Sequence, residues 1–253
     1  MERITSRQNP LVQQIRKLNN SRSHRRTEGL FVGEGPKLLA EALGAGMDIG
    51  VVVAAEGVRP DCPPAIRQVE VPEDLLKSLS TTETPQGVLF LCRMPDLTPP
   101  DKLTGGRYLV LDGLQDPGNL GTIWRTADAF GADGLLLVNS CADPFSPKTV
   151  RATMGAAFRL PAWECGLGEA KALLDAAGIP LYATALRDDT LDVREAELSR
   201  AAVVIGSEGR GISREALALC AGTVKIPMRE RCESLNAAVA AGVVLWEMKR
   251  SEM

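Results

Sequence analysis

The sequence is poor in the residues that most often hold a metal ion. Its 253 residues include one histidine, His24, and six scattered cysteines that form no C-x-x-C pair. A zinc site needs clustered Cys, His or carboxylate ligands, and the sequence contains no such cluster. We therefore expect no metal, and we expect the cysteines to be free thiols in a reducing cytoplasm.

The sequence also lacks long apolar runs and has few aromatic residues. No stretch has the length of a membrane span, and the charged N-terminus lacks the apolar segment of a signal peptide. We therefore expect a cytoplasmic protein with no membrane partner. Aromatic residues make up only 4% of the chain, which argues against a platform for stacking single-stranded bases.

Positive charge is not in excess over the whole chain, but it is concentrated at one end. The net charge of −3 excludes a protein that is basic throughout. Residues 1–27, however, contain seven arginines and lysines against a single acid, Glu2. This segment is either a basic arm that lies on phosphates or the solvated face of a helix.

The first part of the chain predicts a small α/β domain. An amphipathic helix is expected over residues 8–19, with Leu11, Ile15 and Leu18 on one face. Further strands are expected at 31–35, 51–55 and 87–92, with helices around 38–43 and 73–79. Residues 94–106 then hold three prolines and two glycines, a composition typical of a domain boundary. We predict a smaller N-terminal domain over 1–98 and a larger second domain over 105–253.

The second part alternates between apolar strands and helices. Strands are predicted at 107–112, 134–139, 158–163, 179–185, 201–206 and 222–227. Helices are predicted at 119–130, 146–155, 168–177, 213–220 and 234–250. The strands are continuous apolar runs, which indicates a parallel sheet covered on both faces. The last helix is apolar almost all round, so either it lies in a self-association interface or it is a core helix of one chain.

Three polar, glycine-rich segments follow strands of this predicted sheet. They are Asp112–Gly121, Gly206–Ser213 and Ile226–Asn236, which we call the first, second and third connections. Because ligands of open α/β sheets bind at the carboxyl ends of strands, three such segments predict one shared site. Asn119 is expected to cap the helix of the first connection, Ser213 that of the second, and Ser234 or Asn236 the last helix. Glu208 is expected to pair with Arg125 or to accept hydrogen bonds.

The motifs in these connections resemble those of a known enzyme family. N-x-G-x-x-x-R at 119–125, G-S-E-G-x-G-I at 206–212, and I-P-M with S-L-N-A-A at 226–238 are similar to the three motifs of the SpoU (TrmH-like) family of RNA ribose 2′-O-methyltransferases, of the SPOUT class. Upstream, F-x-x-E-G-x-K at 31–37 and P-Q-G at 85–87 look like segments of that family's RNA-binding domain.

The resemblance implies a fold, a cofactor and partners. The fold is a parallel-sheet SPOUT domain with a deep C-terminal trefoil knot, preceded by a smaller α/β domain that resembles a ribosomal protein. The cofactor is S-adenosylmethionine without a metal, and the reaction methylates a ribose 2′-hydroxyl of structured RNA. Two subunits are expected to pair through the terminal helices.

The resemblance also assigns residues. The catalytic residues it implies are Arg125, Asn119, Glu208 and Asn236, with Arg125 acting on the target hydroxyl. The residues it implies for the methyl donor are Thr184, Gly206, Ile226, Met228, Ser234 and Leu235. Glu230 departs from the glycine that the family often has there, which leaves the geometry of that loop open.

Two alternatives to a ribosomal RNA methyltransferase remain at this stage. The acceptor could be transfer RNA, or the chain could be a non-catalytic RNA-binding protein on the same fold. Ribosomal RNA is favoured because the N-terminal domain resembles a module that binds ribosomal RNA. A dinucleotide-dependent enzyme is disfavoured, since no G-x-G-x-x-G follows the first strand of the second domain.

Overall fold

The computed structural model describes residues 2–185, 190–229, 231 and 234–250. The chain divides into two compact units. Unit 1 contains Met1–Pro95 and Asp143–Phe158, and unit 2 contains Asp96–Ala142 and Arg159–Met253. Residues 143–158, which the predicted division assigns to the C-terminal domain, thus pack within unit 1. None of the helices in the described ranges combines the length and apolar character that a membrane crossing requires.

Unit 1 is built on a five-stranded mixed sheet. Its elements are β1 (Glu2–Arg3), α1 (Pro10–Asn20), α2 (Arg22–Glu28), β2 (Leu30–Glu34), α3 (Pro36–Gly44), β3 (Ile49–Ala55), β4 (Arg67–Val71), α4 (Glu73–Leu79), β5 (Val88–Arg93) and α6 (Pro147–Thr153). The strand order is β1-β4-β3-β5-β2, and β5 runs antiparallel to both of its neighbours. Leu11, Ile15 and Leu18 of α1 are buried in the core, as their spacing predicts.

The other face of this sheet is covered by the 143–158 segment. The ring of Phe31 on β2 lies 5.0 Å from that of Phe145 and 6.2 Å from that of Phe158, measured between centroids. The strand predicted at 158–163 is therefore wrong in its first residues. Ala156–Phe158 form a 3₁₀ turn, and the strand begins only at Ala162.

The basic segment at 1–27 is not an extended arm. Residues 10–28 fold as α1 and α2, and Arg25 is the one buried side chain of α2. Its guanidinium donates to Asp143 Oδ2 at 2.5 and 2.9 Å and to the carbonyl of Leu18. Arg3 pairs with Glu56 and Arg7 with Asp74. Deleting this segment would therefore remove part of the core of unit 1, while contact of its exposed arginines with phosphates stays a prediction.

Unit 2 carries a seven-stranded sheet in which every pair is parallel. Its elements are β6 (Arg107–Asp112), α5 (Pro117–Ala129), β7 (Gly134–Val138), β8 (Ala162–Glu164), α7 (Leu167–Ala176), β9 (Leu181–Thr184), β10 (Leu191–Asp192), β11 (Ala201–Gly206), α8 (Arg214–Leu219), β12 (Gly222–Lys225) and α9 (Ala237–Arg250). The strand order is β10-β12-β9-β11-β6-β7-β8. The expectation of a parallel α/β sheet is confirmed, while the trefoil knot stays a prediction.

Helices pack on both faces of this sheet because its central strands are apolar throughout. Every residue of β7, and all of β11 except Gly206, is buried. α7 and α8 bury Leu174 and Ala216 in one core cluster with Tyr108 and Val110 of β6. α9 packs against α5 and β11.

Candidate functional site

Four neighbouring strands end at one edge of the sheet of unit 2. In the order β12, β9, β11 and β6, their last residues are Lys225, Thr184, Gly206 and Asp112. The parallel register places Gly206 directly beside Asp112. The first and second connections therefore leave the sheet from adjacent strands, and the third leaves it from β12, with only β9 between β12 and β11.

A cavity of about 350 Å³ lies at this edge. All the residues that the sequence assigns to the methyl donor line it, and Glu208 does as well. The donor residues are Thr184, Gly206, Ile226, Met228, Ser234 and Leu235. Glu230, the departure from the family pattern, lies outside the described residues.

The floor of the cavity is a tight turn in the second connection. Ser207 and Gly211 exchange both backbone hydrogen bonds, at 3.1 and 2.9 Å. This brings the Gly211 backbone against Gly206, where an added Cβ would lie 2.3 Å from the Gly211 carbonyl carbon. No real Cβ tolerates that distance, so Gly206 is required by the turn itself.

A chain of polar side chains joins all three connections. Asn119 donates through Nδ2 to Glu208 Oε1, and its own Oδ1 accepts from Asn236 Nδ2 at 3.2 Å. Asn236 Oδ1 in turn accepts from the backbone of Ala238 at 2.9 Å, which caps α9. The structure thus brings together three of the four residues predicted to be catalytic.

The expectation that Asn119 caps α5 is wrong. Asp116 is the N-cap and accepts from the Asn119 backbone N–H at 2.8 Å, with Pro117 at the first helical position. Because Asp116 takes the capping role, the Asn119 side chain is left to bind Glu208. Ser213 does cap α8, as predicted, by accepting from the N–H of Ala216 at 3.2 Å.

Arg125, the fourth residue predicted to be catalytic, does not join this group of side chains. It is exposed on α5 and does not line the cavity of its own chain. The expected pairing with Glu208 is not formed, since Glu208 holds Asn119 instead. Six residues along a helix separate Asn119 and Arg125 by about 240° of rotation at roughly 100° per residue, so they point in different directions. Within the described residues, Arg125 has no hydrogen-bond partner.

Asp112 also belongs to this site, although the sequence did not predict it as a site residue. This buried carboxylate, only 3% exposed, accepts from the backbone N–H of Ser213 and from Asn139 Nδ2, both at 2.7 Å. It ties β6 to the second connection and to the residues after β7. Its place at a strand end among polar segments was the signal available in the sequence.

The cysteines near the site are poor nucleophiles. Burial raises the pKa of Cys141, and likewise that of Cys220, to about 11. None of the five described cysteines forms a disulfide bond. Among residues 2–185, 190–229, 231 and 234–250, no three His, Cys, Asp or Glu side chains are grouped as a metal site.

Two family models match the chain. The SpoU rRNA methylase family matches residues 106–246, and the MRM3-like substrate binding domain matches residues 9–89. The two matches correspond to the parts of the chain on either side of the proline-rich segment at 94–106.

Similar proteins include both ribosomal and transfer RNA enzymes. The 23S rRNA (guanosine(2553)-2′-O)-methyltransferase of Bacillus subtilis is 32% identical over 98% of this chain and 100% of its own length. The tRNA (guanosine(18)-2′-O)-methyltransferase of Thermus thermophilus is 37% identical over 64% of this chain and 78% of its own. A solved AdoMet-bound rRNA methyltransferase from Sinorhizobium meliloti is 33% identical, covers 100% of this chain and 98% of that chain, and superposes with a TM-score of 0.87.

Proposed function

The chain belongs to the SpoU rRNA methylase family, and we propose that it transfers a methyl group from S-adenosylmethionine to a ribose 2′-hydroxyl of ribosomal RNA. The observation that carries the proposal is the cavity at four adjacent strand ends. The connections around it also supply the linked side chains of Asn119, Glu208 and Asn236.

The cavity suits the methyl donor. Its volume of about 350 Å³ lies within the ~300–1,000 Å³ typical of small-molecule sites. Ile226 and Leu235 provide apolar walls, and the strand end at Gly206 presents backbone groups. The Glu208 carboxylate places negative charge where a cationic ligand is expected. When bound, S-adenosylmethionine supplies an electrophilic methyl carbon on a positively charged sulfur.

Glu208 is our candidate for the group that accepts the hydroxyl proton. Its Oε1 is held by Asn119, while its Oε2 accepts no hydrogen bond from the described residues. One carboxylate oxygen is therefore fixed and the other is available to the acceptor. Arg125 is unsuited to this role because a guanidinium has five N–H donors and no acceptor, so we assign it the orientation of the ribose oxygen or of a neighbouring phosphate.

The position of Arg125 fits a site completed by a second copy of the chain. α9 leaves Val239 54% and Trp246 47% exposed, and the Trp246 ring packs edge-on against Phe130 at the end of α5. Val239 and Trp246 lie seven residues apart on α9, so they share one face of the helix, and large apolar side chains exposed together favour self-association. We propose a homodimer through this face, with Arg125 acting on the cavity of the partner.

Ribosomal RNA is preferred to transfer RNA for one reason. Similarity to the ribosomal RNA enzyme of Bacillus subtilis extends over 98% of this chain, whereas similarity to the transfer RNA enzyme covers only 64%. A cytoplasmic location accompanies this proposal, because ribosomal RNA is abundant there. A non-catalytic RNA-binding role is disfavoured, since it leaves no reason for the linked Asn119, Glu208 and Asn236 side chains.

The test is methyl transfer by the purified protein. Ribosomal RNA from cells that lack the gene is incubated with the protein and S-adenosylmethionine carrying a radioactive methyl group, then digested to nucleosides. We expect the label in a 2′-O-methylnucleoside. Label only in bases, or only in transfer RNA added to the same assay, would contradict the proposal.

The role of Arg125 is tested separately. Arg125→Ala should abolish turnover and leave donor binding unchanged in a calorimetric titration, because we assign Arg125 to the ribose acceptor and not to the methyl donor. Arg214→Ala, which removes another exposed helical arginine, serves as the control and should retain full activity. Full turnover by Arg125→Ala would remove Arg125 from the mechanism.

A further inference from the structure

A second cavity, of about 270 Å³, lies within unit 1. Its walls come from residues 34–41 at the end of β2 and the start of α3, from residues 82–86, and from residues 151–154 at the end of α6. We propose that this cavity binds one unstacked nucleotide of the RNA substrate, with the base inside and a phosphate on Lys37. The inference rests on the proposed function, because it presumes an RNA substrate.

The walls of this cavity are fixed before any ligand binds. The Glu34 carboxylate accepts from the hydroxyl groups of Ser80 and Thr82 and from the backbone N–H of Thr81. Arg151 Nη1 donates to Thr81 Oγ1 at 3.0 Å, which attaches α6 to the same loop. A preformed pocket loses little conformational entropy when it is filled, so it favours binding.

Three polar side chains of the cavity have no partner among the described residues. They are Lys37, Thr84 and Gln86, and all three are exposed. Gly35 has a φ of 101°, and a Cβ added there would lie 2.9 Å from Gln86 Oε1. The backbone at Gly35 thus allows the Gln86 amide to lie close to the cavity wall. An ammonium, a hydroxyl and an amide remain to bind a ligand.

Met154 gives the cavity an apolar side chain in an unusual conformation. It follows α6 with a φ of 50°, in the left-handed region where glycine is the usual residue. Its side chain is 38% exposed and lines the cavity with that of Leu38, which is buried. A large apolar side chain held there against local preference suggests a contact with a ligand rather than a packing role.

These groups match a nucleotide. A glutamine amide binds the edge of a base through both its donor and its acceptor, and flat apolar contacts suit the face of a base. Lys37 supplies the charge that a phosphate requires. The cavity volume is slightly below the range of ~300–1,000 Å³ for small-molecule sites, so it has room for one nucleotide and not for a longer segment.

The match to known substrate-binding domains does not include all of this site. That match ends at residue 89, whereas Arg151 and Met154 come from the 143–158 segment. Part of RNA recognition is therefore assigned to α6 and to Met154 directly after it, which lie within the methylase part of the sequence.

The test uses three single variants of the full-length protein in the methyl transfer assay. Gln86→Leu keeps the size and charge of the side chain and removes its hydrogen bonds. Met154→Gly removes the apolar contact and relieves the left-handed conformation. Lys37→Ala removes the charge, and Lys77→Ala, which removes an exposed lysine on α4 away from the cavity, is its matched control.

We expect each of the three cavity variants to raise KM for unmodified ribosomal RNA about 10-fold, with kcat and donor binding near the wild-type values. Gln86→Leu should leave the salt dependence of RNA binding unchanged, whereas Lys37→Ala should reduce its slope. Met154→Gly should raise KM without lowering the melting temperature. If Met154 only packed against the protein, the same change would lower the melting temperature. Lys77→Ala should behave as the wild type.

The outcomes separate this inference from the proposed function. An inactive wild-type protein would contradict the proposed function, on which the inference depends. An active wild type with unchanged KM in Gln86→Leu and Met154→Gly would overturn the nucleotide site alone. If only Lys37→Ala raised KM, the cavity would bind a phosphate and not a base, which would also overturn it.

Discussion

The buried carboxylate of Asp112 provides the sharpest test of how the donor cavity is held. Asp112→Asn keeps the shape of the side chain but replaces one acceptor oxygen with a donor NH₂ group. The two partners, the Ser213 N–H and Asn139 Nδ2, are themselves donors at 2.7 Å, so the new NH₂ group meets a donor and both partners lose their charged acceptor. A hydrogen bond to a charged group contributes about 1.5–3 kcal/mol, and a buried unpaired donor costs a similar amount.

The expected effect is a loss of about 2–3 kcal/mol in the free energy of opening at the second connection. Because every 1.4 kcal/mol is a factor of ten, the Ser213 amide should exchange its hydrogen roughly 30- to 150-fold faster. Donor affinity should fall by at most the same factor, since only molecules with the loop closed bind. Hydrogen exchange and calorimetric titration with S-adenosylmethionine measure the two quantities.

A matched change elsewhere in unit 2 controls for the loss of charge. Asp96 accepts from the backbone N–H of Thr98 at 2.9 Å but is exposed, and an asparagine oxygen can replace it there. Asp96→Asn should therefore leave donor affinity unchanged. If Asp112→Asn kept the wild-type exchange rate at Ser213 within about threefold and bound the donor equally well, the argument from buried hydrogen bonds would be refuted.

Three further predictions concern the turn, the core of unit 1 and the exposed helix face. Gly206→Ala should destabilise the turn by about 1–3 kcal/mol, because the new Cβ meets the Gly211 backbone, and it should abolish donor binding in the calorimetric titration. Wild-type affinity for S-adenosylmethionine would contradict this prediction. Asp143→Ala should lower the free energy of unfolding, measured in urea, by about 3–5 kcal/mol, because it leaves the buried Arg25 guanidinium without its ion-pair partner. A loss below about 1 kcal/mol would refute the importance of this buried pair. Trp246→Glu should yield monomers in size-exclusion chromatography with light scattering while the melting temperature changes little, and an intact dimer would exclude this face.

The sequence predicted the helices and strands in which apolar residues recur at regular spacing or form a continuous run. The strands of unit 2 and the buried face of α1 are of this kind, and both were placed within a few residues. α2 was not predicted because its sequence is polar all round and its one buried side chain is Arg25. β4 was not predicted because only two of its residues, Val69 and Val71, show the alternation of buried and exposed side chains that is typical of a strand.

The sequence predicted which segments form the site, but not which polar side chains bind one another. Strand ends and motif spacing indicated that Gly206, Ile226 and Ser234 lie together. The partner of each polar side chain depends on tertiary geometry, which spacing does not give. Asp116 therefore took the capping role expected for Asn119, and Glu208 bound Asn119 and not Arg125. The packing of residues 143–158 within unit 1 also has no local signal, since it depends on contacts between Phe31 and rings more than a hundred residues away.

The central claim is tested most directly by mapping 2′-O-methyl groups in ribosomal and transfer RNA from cells with and without this protein. We predict that one or more ribosomal nucleotides lose the methyl group when the gene is removed. The wild-type gene should restore it, and Arg125→Ala should not. Ribosomal RNA with an unchanged map, or a loss confined to transfer RNA, would contradict the account.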